Sequence, residues 1–125
     1  MAMQTKIPTP NVKQLSAITH PPGPLMILAG AGTGKTFTLE NRIVYIIEQY
    51  QVNPKHILAI TYTEKAAREL KTRIVNRVGS HAHTMTVNTF HSFCFGVLKE
   101  FGEGSLPKLF DESEAIHMLL ERFDE

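Results

Sequence analysis

The chain has 125 residues, 42% of them hydrophobic, and a formal net charge of +1, values that are typical of a globular domain and exclude a disordered or strongly polyanionic chain. A single cysteine, Cys94, excludes an internal disulfide bond and is typical of a reducing cytoplasm. No apolar run approaches the roughly 20 residues of a membrane span, so we expect a cytoplasmic protein without a membrane partner.

The first predicted element is a short helix near the N-terminus. Residues 1–10 are predicted to be flexible, because Pro8 and Pro10 oppose helix formation. Asn11 suits the N-cap of a helix over residues 11–19. The sequence HPPGP, residues 20–24, then ends that helix with a turn.

A glycine-rich loop follows in the sequence PLMILAGAGTGKTFTLE, residues 24–40. The apolar run 25–28 predicts a buried strand, and a helix is expected from the loop to about Tyr50. Small residues let backbone N–H groups surround phosphate oxygens, which the helix N-terminus also favours. Lys35 would reach the β and γ phosphates and Thr36 would offer its hydroxyl to Mg²⁺. Ala29 stands at the first Gly of the usual G-x-x-x-x-G-K-[ST] pattern.

Two further strand–helix pairs follow the loop. Strands are predicted at residues 56–63 and 85–90, each followed by a helix, and Gly79 suits the C-cap of the helix that begins at Glu64. Three alternations predict an α/β fold with a parallel sheet and helices on both faces. The carboxyl ends of its strands would bring GAGTGKT, TYTEK and NTFHSF to one edge.

The C-terminal third is predicted to be helical and acidic. The helix after residue 90 should turn Phe93, Val97, Leu98 and Phe101 inward, and a last helix should begin near Asp111. Residues 51–99 are basic instead, with seven Lys and Arg against two Glu. This excess is a modest indication of a polyanion partner, although Lys71, Arg73 and Arg77 are expected to form a solvated helix face.

Four segments together resemble the N-terminal part of the UvrD/Rep/PcrA-type DNA helicases of superfamily one. NVKQLSAI (11–18) resembles the Q motif and AGAGTGKT (29–36) motif I; ILAITYTEKAARELKTRI (57–74) resembles motif Ia and TVNTFHSFC (86–94) motif Ib. The resemblance implies a P-loop NTPase fold of the RecA-like kind, a three-layer parallel sheet that is incomplete here. Residues 11–104 would be the first part of the ATP-binding domain, and 105–125 the start of an inserted helical subdomain.

The resemblance also implies ATP and Mg²⁺ as cofactors. Gln14 would read the adenine with its amide, while Lys35 and Thr36 would be the catalytic contacts. Phe37 would lie beside the adenine, where packing is favoured over stacking, and Arg42 would be structural. The implied nucleotide-binding set is Gln14, Gly30, Ala31, Gly32, Thr33, Gly34, Lys35, Thr36 and Phe37.

Single-stranded and duplex DNA are the implied macromolecular partners. Tyr62 would stack on a base, with Thr61 and Thr63 beside the strand, and Thr89 and His91 would hold the DNA backbone. Glu64 departs from the Asn common at its position, and its negative charge opposes a direct contact with DNA there.

The resemblance implies ATP-driven translocation on single-stranded DNA and duplex unwinding, with 3′ to 5′ polarity. The family's acidic D-E-x-Q-D motif does not occur in these 125 residues. Since phosphoryl transfer needs that carboxylate and further charges, the chain alone is expected to bind ATP weakly, to hydrolyse it negligibly, and to self-associate through uncovered apolar surface. The alternatives are the ATPase subunit of a RecB- or AddA-like helicase–nuclease, a non-catalytic ATP- or DNA-binding module, and an unrelated P-loop kinase.

Overall fold

A computed structural model describes residues 8–102, 104, 113, 114, 116 and 117. The chain divides into two compact units, Met1–His91 and Ser92–Glu125, and each is described by itself. No helix among the described residues has both the length and the hydropathy needed to cross a bilayer.

The first unit is built around a small parallel sheet. Its helices are α1 (Val12–Thr19), α2 (Lys35–Gln49) and α3 (Glu64–Val78), and its strands are β1 (Leu58–Thr61) and β2 (Thr86–Thr89). Short 3₁₀ helices, Pro54–His56 and Ser80–Thr84, precede the two strands. The strands pair in register from Leu58 opposite Thr86 to Thr61 opposite Thr89.

The predicted helices of this unit are confirmed, and local capping explains where two of them begin. Asn11 accepts a hydrogen bond from the backbone N–H of Gln14, while the Gln14 side chain accepts one from the N–H of Asn11, so α1 starts with a reciprocal capping box. Thr63 caps α3 by accepting from the Ala66 N–H. Gly79, with φ of 102°, ends α3 as expected.

Apolar side chains of α2, α3 and the two strands form one core. Ile74 on α3 and Met85 before β2 are its largest fully buried side chains. Ile43 and Ile47 of α2 join the same cluster, so α2 and α3 pack against each other. Burial of this kind contributes about 1.5–3 kcal/mol per large aliphatic side chain.

The strand predicted for residues 25–28 is wrong. These residues adopt no regular secondary structure, and all four side chains are exposed, Leu28 to 89%. A strand is stabilised by hydrogen bonds to a neighbour, and in the described part of the chain the sheet contains only β1 and β2. The apolar run therefore lies uncovered.

The expected solvated face of α3 is partly wrong. The Arg77 guanidinium donates to Glu40 at 3.2 Å and to Asn41 at 2.9 Å on α2, and its side chain is only 26% exposed. Arg73 lies 3.8 Å from the same Glu40 carboxylate. These contacts tie α3 to α2 at the rim of the core.

The helix α4 (Phe90–Phe101) begins with the last two residues of the first unit and continues in the second. None of its side chains is buried, and Phe101 is 72% exposed, so the prediction of an inward apolar stripe is wrong for the described residues. The predicted last helix lies mostly outside those residues; residues 113, 114, 116 and 117 are helical.

Candidate functional site

Two glycines of the glycine-rich loop adopt left-handed backbone conformations. Gly32 has φ of 71° and Gly34 has φ of 85°, a region that side chains with a Cβ adopt only with strain. Between them Thr33 turns back, its N–H and hydroxyl bonding the Gly30 carbonyl at 3.4 and 2.7 Å. Ala31 and Gly32 are exposed, so the backbone of the loop tip faces solvent.

The helix α2 begins where the loop ends. Lys35 is its first residue, and Gly34 is its N-cap without a side-chain cap, so the first N–H groups of α2 remain available to an anion. The Lys35 ammonium folds back over the loop and donates to the Ala29 carbonyl at 3.3 Å. Thr36 is exposed and Phe37 is half-buried.

Gln14 of α1 contacts the loop directly. Its Nε2 donates to the Thr33 carbonyl at 3.1 Å, while its Oε1 accepts from the Asn11 N–H at 2.9 Å. A cavity of about 260 Å³ lies at this junction, and its lining includes Gln14, Gly30 and Thr33. The structure thus brings Gln14 into contact with the glycine-rich loop, the two features that the sequence analysis assigned to one site.

Arg42 of α2 holds α1 in that position. Its guanidinium donates to the carbonyls of Ile18 at 2.8 Å and Pro21 at 3.3 Å, and also to that of His20. These carbonyls belong to the C-terminal end of α1 and the residues after it, which lack helical partners. The structural role expected for Arg42 is therefore specific: it positions the helix that carries Gln14.

Tyr62 is an exposed aromatic residue at the sheet edge, immediately after the carboxyl end of β1. Its side chain is 98% exposed, although an aromatic ring gains free energy when it is buried. The neighbouring hydroxyls serve the turn, since Thr61 donates to the Thr63 carbonyl at 3.0 Å and Thr63 caps α3. The turn thus presents the Tyr62 ring with Thr61 and Thr63 as its support.

At the end of β2, Thr89 faces the protein. It is 7% exposed and its hydroxyl donates to Glu64 at 3.0 Å, which links the ends of β1 and β2. His91 is exposed. Glu64, which departs from the Asn of the resembling family, therefore has a contact within the protein.

Sequence reasoning missed Phe90, which lies between Thr89 and His91. Its ring is 63% exposed. The available signal was its position immediately after Thr89, the last residue of β2, at the same edge of a parallel sheet as Tyr62. The two exposed rings belong to the same unit and follow neighbouring strands.

Comparison of the sequence with those of known proteins assigns the chain to a family. The family profile described as UvrD/REP helicase N-terminal domain matches residues 10–119. The ATP-dependent DNA helicase PcrA of Staphylococcus aureus (strain Mu50 / ATCC 700699) is 46% identical over 89 residues, which cover 71% of this chain and 12% of that protein. The PcrA of Staphylococcus epidermidis (strain ATCC 12228 / FDA PCI 1200) is 43% identical over 97 residues, 78% of this chain and 13% of the relative.

The chain therefore spans about an eighth of the length of these curated relatives. The matched residues include the glycine-rich loop, the Gln14 helix and both strand ends. With a profile match over most of its length, the chain belongs to the UvrD/REP helicase N-terminal domain family.

Proposed function

We propose that this chain is the nucleotide-binding N-terminal portion of an ATP-dependent DNA helicase with the RecA-like, three-layer P-loop fold. The observation that carries the proposal is the loop itself: two glycines at positive φ precede Lys35 and the N-terminus of α2, and Gln14 contacts the same loop. Both curated relatives are named ATP-dependent DNA helicases.

The loop residues fit a nucleotide triphosphate with Mg²⁺. Residues 29–36 contain no carboxylate, and they combine exposed backbone with the Lys35 ammonium and the exposed Thr36 hydroxyl. Lys35 would neutralise phosphate charge, and Thr36 would hold Mg²⁺, which supplies further positive charge to the phosphates. Lys35 would exchange the Ala29 carbonyl for phosphate oxygens.

Gln14 would recognise adenine with the two polar atoms of its amide. Nε2 now donates to Thr33 and Oε1 accepts from Asn11. Reading the base would therefore draw at least one of these atoms away from its present partner. Because Thr33 lies in the loop, binding of the base would be coupled to the loop conformation. Phe37, half-buried beside the loop, would pack near the base.

DNA would lie along the carboxyl ends of β1 and β2. Tyr62 presents a fully accessible ring for base stacking, and His91 is exposed for a backbone contact. Thr61 and Thr63 would contribute backbone and methyl surface beside the strand. Thr89 would act through its bond to Glu64, by keeping the two strand ends in register.

In the whole protein, ATP binding and hydrolysis would close and reopen two RecA-like domains and drive 3′ to 5′ movement on single-stranded DNA. The present chain would bind ATP weakly and hydrolyse it negligibly, because the acidic D-E-x-Q-D motif is not among its 125 residues. A cytoplasmic DNA-processing role follows from the same proposal.

Calorimetric titration of the chain with Mg-ATP, beside Lys35→Ala, tests the nucleotide site. We expect weak binding that the substitution reduces at least tenfold, because it removes the only ammonium of residues 29–36. Lys55→Ala, which removes an exposed ammonium from the 3₁₀ helix Pro54–His56, away from the loop, is the control for the loss of one positive charge. Equal ATP affinity of wild type and Lys35→Ala would contradict the proposed site.

Tyr62→Ala tests the DNA edge. A stacked base contributes about 1–3 kcal/mol, so affinity for a short labelled oligothymidylate should fall roughly 5- to 150-fold in fluorescence anisotropy. Since the ring is 98% exposed, folding stability should be unchanged, and Tyr62→Phe should retain most of the affinity. Full affinity in Tyr62→Ala would place DNA elsewhere on the chain.

Self-association of the chain is a further expected result. The exposed run 25–28 and the exposed α4 residues Val97, Leu98 and Phe101 present apolar side chains to solvent, and such surface favours association. Sedimentation velocity should show oligomers that increase with concentration. A monomer at every concentration would show that these residues do not drive association.

A further inference from the structure

The five cations of α3 fall into two groups. Three lie beside carboxylates: Lys65 is 4.0 Å from Glu69, Arg73 lies near Glu69 and Glu40, and Arg77 is 3.2 Å from Glu40. In the described part of the chain, no carboxylate lies within ion-pair distance of the other two, Arg68 and Lys71. Neither of these two cations therefore forms an ion pair with a described residue.

These two cations line the same groove. It has a volume of about 360 Å³ and is lined by Arg68, Lys71, Thr72, Val75, Asn76 and His83. No Asp or Glu is among these residues, whereas hydroxyl, amide and imidazole groups are. We call this depression the α3 groove. It combines neutral hydrogen-bond donors with two positive charges that form no ion pair with a described residue.

We propose that the α3 groove binds the phosphodiester backbone of a nucleic-acid strand. Arg68 offers a planar guanidinium that matches two phosphate oxygens, and Lys71 offers a point charge. Thr72 and Asn76 add neutral donors of the kind that contact phosphate and sugar oxygens. From Arg68 to Asn76 the helix rises about 12 Å, which is longer than a single phosphate, so an extended polyanion fits better than a compact anion.

The groove is distinct from the strand ends and goes beyond the function proposed above. The helix α3 begins after the carboxyl end of β1, and Ser80–Thr84 precedes the amino end of β2. Because the two strands are parallel, His83 belongs to the opposite edge of the sheet from Tyr62. A strand in the α3 groove would therefore contact the protein at a second place, independently of base stacking on Tyr62.

A pair of double variants tests the proposal in the full 125-residue chain. Arg68→Ala/Lys71→Ala removes the groove charges, and Lys65→Ala/Arg73→Ala removes two paired charges from the same helix. Binding of labelled oligothymidylate is measured by anisotropy at several salt concentrations. We expect the groove variant to lose about tenfold in affinity, with a salt slope smaller by roughly 1.4 because two phosphate contacts are gone. The paired-charge control should lose less than about threefold.

Equal losses of affinity in the two double variants would show a general attraction of the oligonucleotide to positive charge and would contradict the proposed groove site. Unchanged affinity in the groove variant would contradict it as well. The charge-retaining Arg68→Lys/Lys71→Arg should keep the salt slope of the wild type, because both positive charges remain; a slope as small as that of the alanine pair would show that the charges do not contact the strand. If millimolar inorganic phosphate abolishes the difference in affinity between the groove variant and the wild type, the groove binds a compact anion. That result would contradict its occupation by a nucleic-acid strand. Tyr62→Ala, measured in parallel, should leave the groove effect intact, which separates failure of the groove from failure of the proposed strand-end site.

Discussion

Arg42→Ala should lower the free energy of unfolding by about 3 kcal/mol and release α1 from α2. The guanidinium donates to three carbonyls at the end of α1 and just beyond it. Hydrogen bonds from a charged donor contribute about 1.5–3 kcal/mol each, and the sum is discounted here because the group is only half-buried. Urea unfolding measures the loss.

The same variant should loosen α1, the helix that carries Gln14, and with it the adenine contact proposed for that residue. Without Arg42, the remaining anchors of α1 are the hydrogen bond from Gln14 to the Thr33 carbonyl and apolar contacts such as that of Ile18, which is 5% exposed. Amide hydrogen exchange should show α1 losing protection while α3 keeps its own. Arg73→Ala removes an Arg that is 51% exposed and should cost less than about 1 kcal/mol. Wild-type protection of α1 in Arg42→Ala would refute this positioning role.

Gly34→Ala should destabilise the chain by about 3 kcal/mol through two separate effects. The first is backbone strain, about 1–2 kcal/mol for a residue with a Cβ at φ of 85°. The second is displacement of Gln14, because the added Cβ would lie 2.8 Å from its Nε2. A glutamine side chain moves readily, so the cost is its bonds to Thr33 and Asn11 rather than a clash with the backbone.

Gly32→Ala is the matched control for this effect. Its φ is 71°, but a Cβ there meets no atom within 4 Å, so only the strain remains. Gly32→Ala should therefore cost about 1–2 kcal/mol less than Gly34→Ala in urea unfolding. In the Gln14→Ala background the difference between the two alanine variants should vanish. A difference that persists there would show that Gln14 is not the group that Gly34 accommodates.

The local signals in the sequence predicted the helices well. Three signals marked helix ends that the structure confirms: Asn11 at the start of α1, the Gly34–Lys35 junction at the start of α2, and Gly79 at the end of α3. These signals are contained within one turn of backbone, because caps satisfy N–H and C=O groups a few residues away. The motif residues were therefore correctly placed on loops, helix starts and strand ends.

Long-range pairing is where the prediction was wrong. The run 25–28 has the composition of a buried strand, yet it is exposed and unpaired with β1 or β2. Apolar composition indicates that a segment would gain free energy by burial, but a strand also requires a neighbouring backbone with which to form hydrogen bonds. The apolar period of α4 shows the same limit, since none of its described side chains is buried.

The sequence by itself determined which chemical groups this chain carries and in what order: a glycine-rich loop ending in Lys35 and Thr36, a glutamine ahead of it, and polar and aromatic residues after two strands. Residue type and local spacing suffice for that, because they specify donors, charges and backbone freedom. Only the tertiary structure decided that Arg42 anchors α1 and that Gln14 bonds to Thr33. It also decided that Thr89 bonds to Glu64. Likewise, only the structure separates Arg68 and Lys71 from the ion-paired cations of α3. Those contacts join residues up to 25 positions apart, and they depend on how the helices pack, which no local pattern encodes.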